Sequence, residues 1–235
     1  MKDKIQAFYD KVEKYGGWQQ VPAARIYAIF EEIIDPATLG FTTAKPGLLA
    51  RLIDGDIAHV IKLRALKGAS YDVCFGVSLS YVPYPYVPQV KWHRTPKSAN
   101  LDLFEEPQVD WWRASNHKAE EVNPYLVNIS LGEKCFREEL SRAWEGTSTQ
   151  AMSWFDAARS LQGILQKCAV HLSRRQDGVR HLPGPRLVHA FTLGKLGRPD
   201  EANSELDKFF EEYQENAAAR ANLQSALELI SLPNG

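Results

Sequence analysis

The chain opens with two segments in which apolar residues recur every three or four positions, the period of an amphipathic helix. One face of the first segment carries Ile5, Phe8, Tyr9 and Val12, and the pattern ends at Gly16-Gly17. The second segment begins after Pro22, which suits a first helical turn, and its apolar face carries Ile26, Ile29, Phe30 and Ile33. The sequence therefore predicts two N-terminal helices.

From residue 48 the pattern changes to that of β-strands. Three β-rich runs, "LLARLI", "DIAHVIKLRAL" and "YDVCFGVSLSYV", are separated by turn residues at Asp54-Gly55-Asp56 and Lys67-Gly68. Such spacing predicts an antiparallel meander of at least three strands. A further strand is predicted at residues 124 to 131. Alternation in the second run predicts one face with Ile57, His59, Ile61 and Leu63, and an opposite face with Ala58, Val60, Lys62 and Arg64.

Residues 81 to 96 contain four prolines and therefore do not form a central strand. They are predicted to be an extended, aromatic-rich connection.

The last third of the chain returns to the helical period. Ser148 or Thr149 is predicted to cap a long helix whose apolar positions are Phe155, Ala158, Leu161, Leu165, Cys168 and Leu172. A basic linker, "RRQDGVRHLPGPR", leads into the final helices. Helices, then a sheet, then helices predict an α+β fold: an antiparallel sheet packed by N-terminal helices, with a C-terminal helical subdomain. We expect domains at residues 1–145 and 146–235.

The first ~80 residues resemble a bacterial family of domains of unknown function. The matching features are the helix "ARIYAIFEEII", the pair Gly40-Phe41 and the meander, and the later helix "SWFDAARSLQGIL" is similar to the family's C-terminal helix. The family supplies no catalytic residues. Some members are similar to immunity or accessory proteins of bacterial conflict systems, which implies protein binding.

The stretch "GKLGRPDEANSELDKFFEEY" resembles a tetratricopeptide unit, with a helical hairpin at about 185–213. Small residues stand at Ala190 and Ala202, a turn glycine at Gly197, and apolar second-helix residues at Leu206 and Phe209. No aromatic residue opens the first helix, and Gln214 replaces the usual closing proline. Such arrays need about three units to be stable alone. The hairpin is therefore interpreted as a structural cap, with a recognition groove as the alternative.

Composition is that of a globular protein. The net charge is −1 with a pI near 6.6, so no global attraction to nucleic acid or to an anionic membrane is expected. Three widely spaced cysteines, Cys74, Cys135 and Cys168, predict reduced, inert thiols and a cytoplasmic location. We expect no membrane association and no cofactor.

Familiar catalytic motifs are missing, including phosphate-binding glycine loops, zinc helices, nucleophile elbows and Cys-x-x-Cys pairs. The segment "LIDGDIAHVIKLR" offers Asp54, Asp56 and Lys62 to a metal-dependent nuclease, but Val60 stands where that site needs an acid. A hairpin turn explains the two aspartates better. His59 is interpreted as a core histidine, and no pair of histidines has helical metal-ligand spacing. The sequence predicts neither a metal site nor catalytic residues.

Two surfaces remain as binding candidates. The first is the aromatic-proline segment, for which we predict a protein-binding role because Tyr, Trp and Arg dominate interface hot spots. Its residues are Tyr81, Tyr84, Tyr86, Trp92, His93 and Arg94, with Trp111, Trp112 and Arg113 later in the chain. Packing of these aromatics onto the sheet is the alternative.

The second surface is the basic linker, where arginines could bind phosphate groups. It contains Arg174, Arg175, Arg180 and Arg186, with His171 and His181 nearby. The alternative is that these arginines meet the acidic residues between 200 and 228.

The sequence thus favours a non-enzymatic interaction protein of immunity or antitoxin-like type with a protein partner. The alternative is a protein that binds or processes RNA or other nucleic acid through the basic linker. An enzyme with scattered site residues is a third hypothesis.

Overall fold

The structure is a computed structural model that describes residues 2–66, 69–85, 90–92, 95–105, 107, 125–174, 183–213 and 217–231. Within these ranges the α-helices are α1 (Lys2–Lys14), α2 (Ala23–Ile34), α3 (Gly132–Ala157), α4 (Leu161–Ser173), α5 (Gly184–Lys195), α6 (Pro199–Tyr213) and α7 (Ala217–Ser231), with a 3₁₀ turn at Pro96–Ser98. None of the described helices combines the length and the apolar character that crossing a bilayer requires.

The main sheet contains six strands within the described residues. Its path runs β1 (Thr42–Lys45), β2 (Leu48–Leu52), β3 (Ile57–Leu66), β4 (Ser70–Leu79) and β7 (Leu103–Glu105), and β8 (Val127–Asn128) also pairs with β4, in antiparallel register. The strand predicted at 124 to 131 is therefore shorter than expected. The aromatic-proline segment lies off this path, because β5 (Pro83–Pro85) and β6 (Val90–Trp92) form a separate antiparallel pair.

The predicted α+β class is confirmed, as is the meander of consecutive strands β2, β3 and β4. Contacts divide the chain into two compact units. The first contains Met1–Leu49, Ile61–Phe75 and Glu105–Met152, and the second contains Ala50–Val60, Gly76–Phe104 and Ser153–Gly235. The domain border predicted between residues 145 and 146 falls inside α3.

In the first unit, α2 buries one apolar face. Its buried residues are Ile26, Ile29, Phe30 and Ile34, so Ile34 rather than the predicted Ile33 completes the face. Asp35 ends the helix in the left-handed conformation (φ 49°) with its N–H donated to the Glu31 carbonyl. Pro36 follows, where a helix cannot continue.

Strands β3 and β4 are covered on both faces over much of their length. Every residue from Ile57 to Ile61 is buried, and so is every residue from Asp72 to Leu79. The alternation predicted for β3 thus distinguishes two faces that are both buried in this half of the strand. Neither face is exposed to solvent there. Burial on both faces explains why β4 reads as a nearly continuous apolar run.

The prediction that Ser148 or Thr149 begins a helix is wrong. Both residues lie inside α3, where the Ser148 hydroxyl donates to the Glu145 carbonyl one turn earlier (3.3 Å) and so satisfies itself within the helix. Helix α3 ends later, at Ala157. Ser160 caps α4 by accepting from the Gly163 N–H (3.2 Å), and a Cβ at Gly163 would stand 1.9 Å from the Ala157 carbonyl oxygen.

In the second unit, α5 and α6 form the helical hairpin expected at about 185–213. Gly197 turns the chain with φ 71°, its N–H is donated to the Gly194 carbonyl, and the next N–H, from Arg198, is donated to Leu193. This is the Schellman arrangement, which favours glycine at the turn. The residues matched to the repeat, Ala190, Ala202, Leu206 and Phe209, are all buried, and α7 packs against both helices.

Candidate functional site

Three of the six residues predicted to bind a partner are described, and their environments differ. Tyr81 is only 3% exposed, so its side chain is inaccessible to a partner in this conformation. Tyr84 and Trp92 are partly exposed on β5 and β6. The other predicted residues lie outside the described ranges: Tyr86, His93 and Arg94, together with Trp111, Trp112 and Arg113.

Trp92 lines a cleft of about 440 Å³ in the second unit, hereafter the Trp92 cleft. The polar residues that line it include Asp56, Ser80 and Lys195, hereafter the polar wall. The apolar residues that line it are Trp92, Leu229 and Ile230, hereafter the apolar wall, and Tyr81 also lines the cleft. Clefts of this volume accommodate a small ligand or one or two side chains.

The polar wall is fixed by hydrogen bonds to one carboxylate. Ser80 donates its hydroxyl to Asp56 Oδ1 (2.7 Å), and the Ser80 N–H is donated to the Asp56 carbonyl (3.0 Å). The second carboxylate oxygen, Oδ2, lies 3.0 Å from Lys195 Nζ. Asp56 therefore holds the Lys195 ammonium at the cleft, where the lysine side chain is 23% exposed.

Tyr81 makes a buried polar contact. Its hydroxyl lies 3.2 Å from Thr192 Oγ1, and the Thr192 hydroxyl donates to the Val188 carbonyl one turn earlier (2.7 Å). Burial raises the pKa of Tyr81, and the nearby charges of Asp56 and Asp102 act in the same direction. Tyr81 therefore stays neutral and anchors the chain between β4 and β5 to α5.

The apolar wall is built by α7 and the β5–β6 pair, which pack against each other. The Trp92 ring meets Phe191 edge to face, with centroids 6.5 Å apart and an interplanar angle of 70°. Leu229 is 69% exposed although it belongs to a helix whose other leucines, Leu223 and Leu227, are buried. A large apolar side chain is therefore presented to solvent at the edge of the cleft.

The Asp54 side chain stabilises the turn between β2 and β3. Its Oδ1 accepts the N–H groups of Asp56 and Ile57, both at 2.8 Å, which is the local geometry of an Asx turn. This contact supports the turn interpretation of the Asp-Gly-Asp segment. Among the described residues no cluster of three or more His, Cys, Asp and Glu side chains could hold a metal ion.

The arginines predicted to bind phosphate are only partly described. Arg186 donates to Glu212 through Nε and to Glu205 through Nη1, both at 2.7 Å, so its guanidinium meets the acidic helix α6 as the alternative interpretation expects. Arg174 is exposed at the C-terminal end of α4. Arg175 and Arg180 lie outside the described residues, so phosphate binding by the linker stays a prediction.

None of the three cysteines, all of which the structure describes, forms a disulfide, and all three are buried. Burial raises the pKa of Cys135 to about 11, and burial also raises the pKa of Cys168. Because the thiolate is the reactive form, neither of these two thiols is a nucleophile near neutral pH.

His59 is enclosed in the second unit. Its side chain is 0% exposed, stacks on Phe155 with ring centroids 4.6 Å apart, and places Nδ1 3.1 Å from Arg51 Nη2. Burial, and then the positive charge of Arg51, lower the pKa of His59 to about 4. His59 is thus a neutral core histidine at neutral pH.

This lowered pKa should make folding sensitive to acid. As the pH falls from 6.5 to 4, an unfolded histidine takes up a proton while the folded one does not, so the free energy of unfolding decreases over that window and is unaffected above it. We expect His59→Gln to reduce the loss of stability between pH 7 and pH 4.5 by about 2 kcal/mol. Urea denaturation at the two pH values measures this. Equal losses of stability in the wild type and in His59→Gln would contradict the lowered pKa of His59.

Of the residues that line the cleft, the sequence predicted Tyr81 and Trp92 as binding residues. Asp56 was interpreted as a turn residue, and Lys195 and Leu229 carried no prediction. One signal was present: Leu229 falls off the apolar face that Leu223, Leu227 and Ile230 define in "AAARANLQSALELI". A leucine off the buried face of a terminal helix marks a candidate contact.

Comparison with known proteins gives no match: no family model fits the chain, and no curated protein or solved structure is significantly similar to it. The function must therefore be argued from the chemistry of the Trp92 cleft.

Proposed function

We propose that this protein is a non-enzymatic protein-binding module and that the Trp92 cleft is its contact site. The observation that carries the proposal is that one cleft is lined by the exposed Leu229, the partly exposed Trp92 and a fixed Asp56–Lys195 ion pair. Buried aromatic and aliphatic anchors surrounded by polar groups supply most of the affinity in protein interfaces.

Preorganisation supports the same proposal. Asp56 is fixed through both carboxylate oxygens, and Trp92 rests on Phe191 and belongs to a paired strand. Side chains that are already ordered lose little conformational entropy when a partner binds. The immunity or antitoxin-like role is a narrower form of this proposal. We also place the protein in the cytoplasm, a proposal supported by its three free, buried cysteines.

The test is affinity capture from the native host with Leu229→Asp and a matched control. Leu52 is 60% exposed and does not line the cleft, so Leu52→Asp makes the same chemical change elsewhere in the second unit. We expect Leu229→Asp to reduce the captured partner at least about tenfold, because a carboxylate cannot be buried against an apolar surface. Leu52→Asp should capture as much as the wild type.

Because both leucines are exposed, neither substitution should lower the melting temperature appreciably. Equal capture by the wild type and Leu229→Asp would remove the cleft as the contact site. Capture at both low and moderate salt is expected, since apolar burial is only weakly screened by ions.

A further inference from the structure

The polar wall of the Trp92 cleft has unused hydrogen-bond donors. Both carboxylate oxygens of Asp56 already have a partner, because Oδ1 accepts from Ser80 and Oδ2 lies against Lys195. An ammonium group has three N–H donors and no acceptor, and in the part of the chain that the structure describes Asp56 is the only ion-pair partner of Lys195. Two N–H groups of Lys195 are therefore available to a ligand.

The charge of the wall restricts the kind of acceptor. Among the described residues that line the cleft, Lys195 is the only cation, and it stands beside the carboxylate of Asp56. Sites for dianionic phosphate groups use clusters of arginine or several backbone N–H groups. A single ammonium next to an anion suits a singly charged carboxylate better than a phosphate.

The apolar wall selects an apolar group. Trp92, Leu229 and Ile230 present aromatic and aliphatic surface, and the volume of about 440 Å³ accepts one large side chain beside an acidic one. The polar and apolar residues line one cleft, so the two groups of the ligand enter the same space and belong to neighbouring residues.

We propose that the Trp92 cleft binds a peptide segment of the partner in which an aspartate or glutamate neighbours a large apolar residue. The carboxylate accepts from Lys195, and the apolar side chain lies against Trp92 and Leu229. This inference rests on the proposed protein-binding function and names the chemistry of the partner.

The experiment selects peptides from a phage-displayed random library on the full chain. Dye-labelled synthetic copies of the selected peptides are then titrated by fluorescence anisotropy. We expect the peptides to share an acidic residue next to a large apolar one. Lys195→Met should raise Kd about tenfold or more, because a hydrogen bond to a charged group is lost, whereas Lys195→Arg should retain most of the affinity.

Lys195→Met removes the N–H donors of Lys195 and also leaves the Asp56 carboxylate without its ion-pair partner. Two further variants show which of these two changes weakens binding. Asp56→Asn keeps the Lys195 donors and should bind at least as tightly as the wild type. The double variant Asp56→Asn/Lys195→Met has a neutral wall and should bind as weakly as Lys195→Met. Lys97, exposed on the 3₁₀ turn and absent from the cleft lining, gives the control Lys97→Met, whose Kd should not change.

The outcomes distinguish the two proposals. Peptides that lose affinity in Leu229→Asp but contain no acidic residue, and that bind Lys195→Met normally, would overturn the carboxylate inference and leave the protein-binding function intact. Selection of no peptide that depends on Leu229 would overturn both. Replacing the acidic residue of a selected peptide by its amide should weaken binding to the wild type and not to Lys195→Met.

Discussion

Replacing Gly76 with alanine should destabilise the protein by about 3 kcal/mol or more. Gly76 lies in β4, and a Cβ at this position would stand 2.1 Å from the Leu103 carbonyl oxygen and 2.6 Å from the Phe104 Cα. Both atoms belong to the backbone of the neighbouring strand β7, so no side chain can rotate away. The strand itself must move, and its pairing with β4 would be lost or strained.

Gly55 provides the matched control. A Cβ at Gly55 meets nothing within 4 Å, so Gly55→Ala makes the same chemical change without a clash. Equilibrium urea denaturation compares the two variants with the wild type. Hydrogen exchange adds a local readout, since protection should fall first at the N–H that Asp102 donates to the Val77 carbonyl (2.8 Å). A Gly76→Ala protein as stable as Gly55→Ala would show that β7 shifts without cost.

The second large effect is expected from Asp72→Ala in the first unit. Arg64 donates to both oxygens of Asp72, from Nε to Oδ1 (3.1 Å) and from Nη2 to Oδ2 (2.6 Å), and Asp72 is only 1% exposed. Truncating the carboxylate leaves the Arg64 charge without these two acceptors in a largely buried place. We expect a loss of about 3 kcal/mol, the cost of breaking a buried ion pair from one side.

A solvent-exposed ion pair with the same two-bond geometry serves as the control for the buried Arg64–Asp72 pair. Arg198 donates to both oxygens of Glu201, each at 2.6 Å, but both side chains are about half exposed. Glu201→Ala should therefore cost far less than Asp72→Ala. The double variant Arg64→Met/Asp72→Leu should recover much of the lost stability, because it removes both charges from the interior. Failure to recover would mean that Asp72 acts mainly through other contacts.

Periodicity in the sequence was sufficient to predict the α+β class and the central meander. The two N-terminal helices and the α5–α6 hairpin were also predictable, because each has a local signal. Pro22 precedes α2, and Gly197 supplies the left-handed turn that joins α5 to α6. Such signals act over a few residues, so they can be recognised without knowing what the segment packs against.

Predictions from the local sequence failed where the same residues are compatible with two different structures. Ser148 reads as a helix cap, yet its hydroxyl can bond a carbonyl within the helix, and α3 continues past it. Similarly, alternation in β3 predicted two faces but not that both are buried from Ile57 to Ile61. Burial depends on which elements cover a strand, and those elements lie far away in sequence.

By itself the sequence determined the broad order of helices, sheet and helices, the class of the fold and the turn chemistry of the Asp54–Ile57 segment, because these follow from neighbouring residues. Only the tertiary structure decided the candidate site. It brings Asp56, Lys195 and Leu229 to one cleft from a hairpin turn and two helices, and it buries Tyr81, which the sequence had placed among the binding residues. Contacts between such distant residues are set by packing. The local pattern places Leu229 off the buried face of its helix but does not specify which distant residues lie near it.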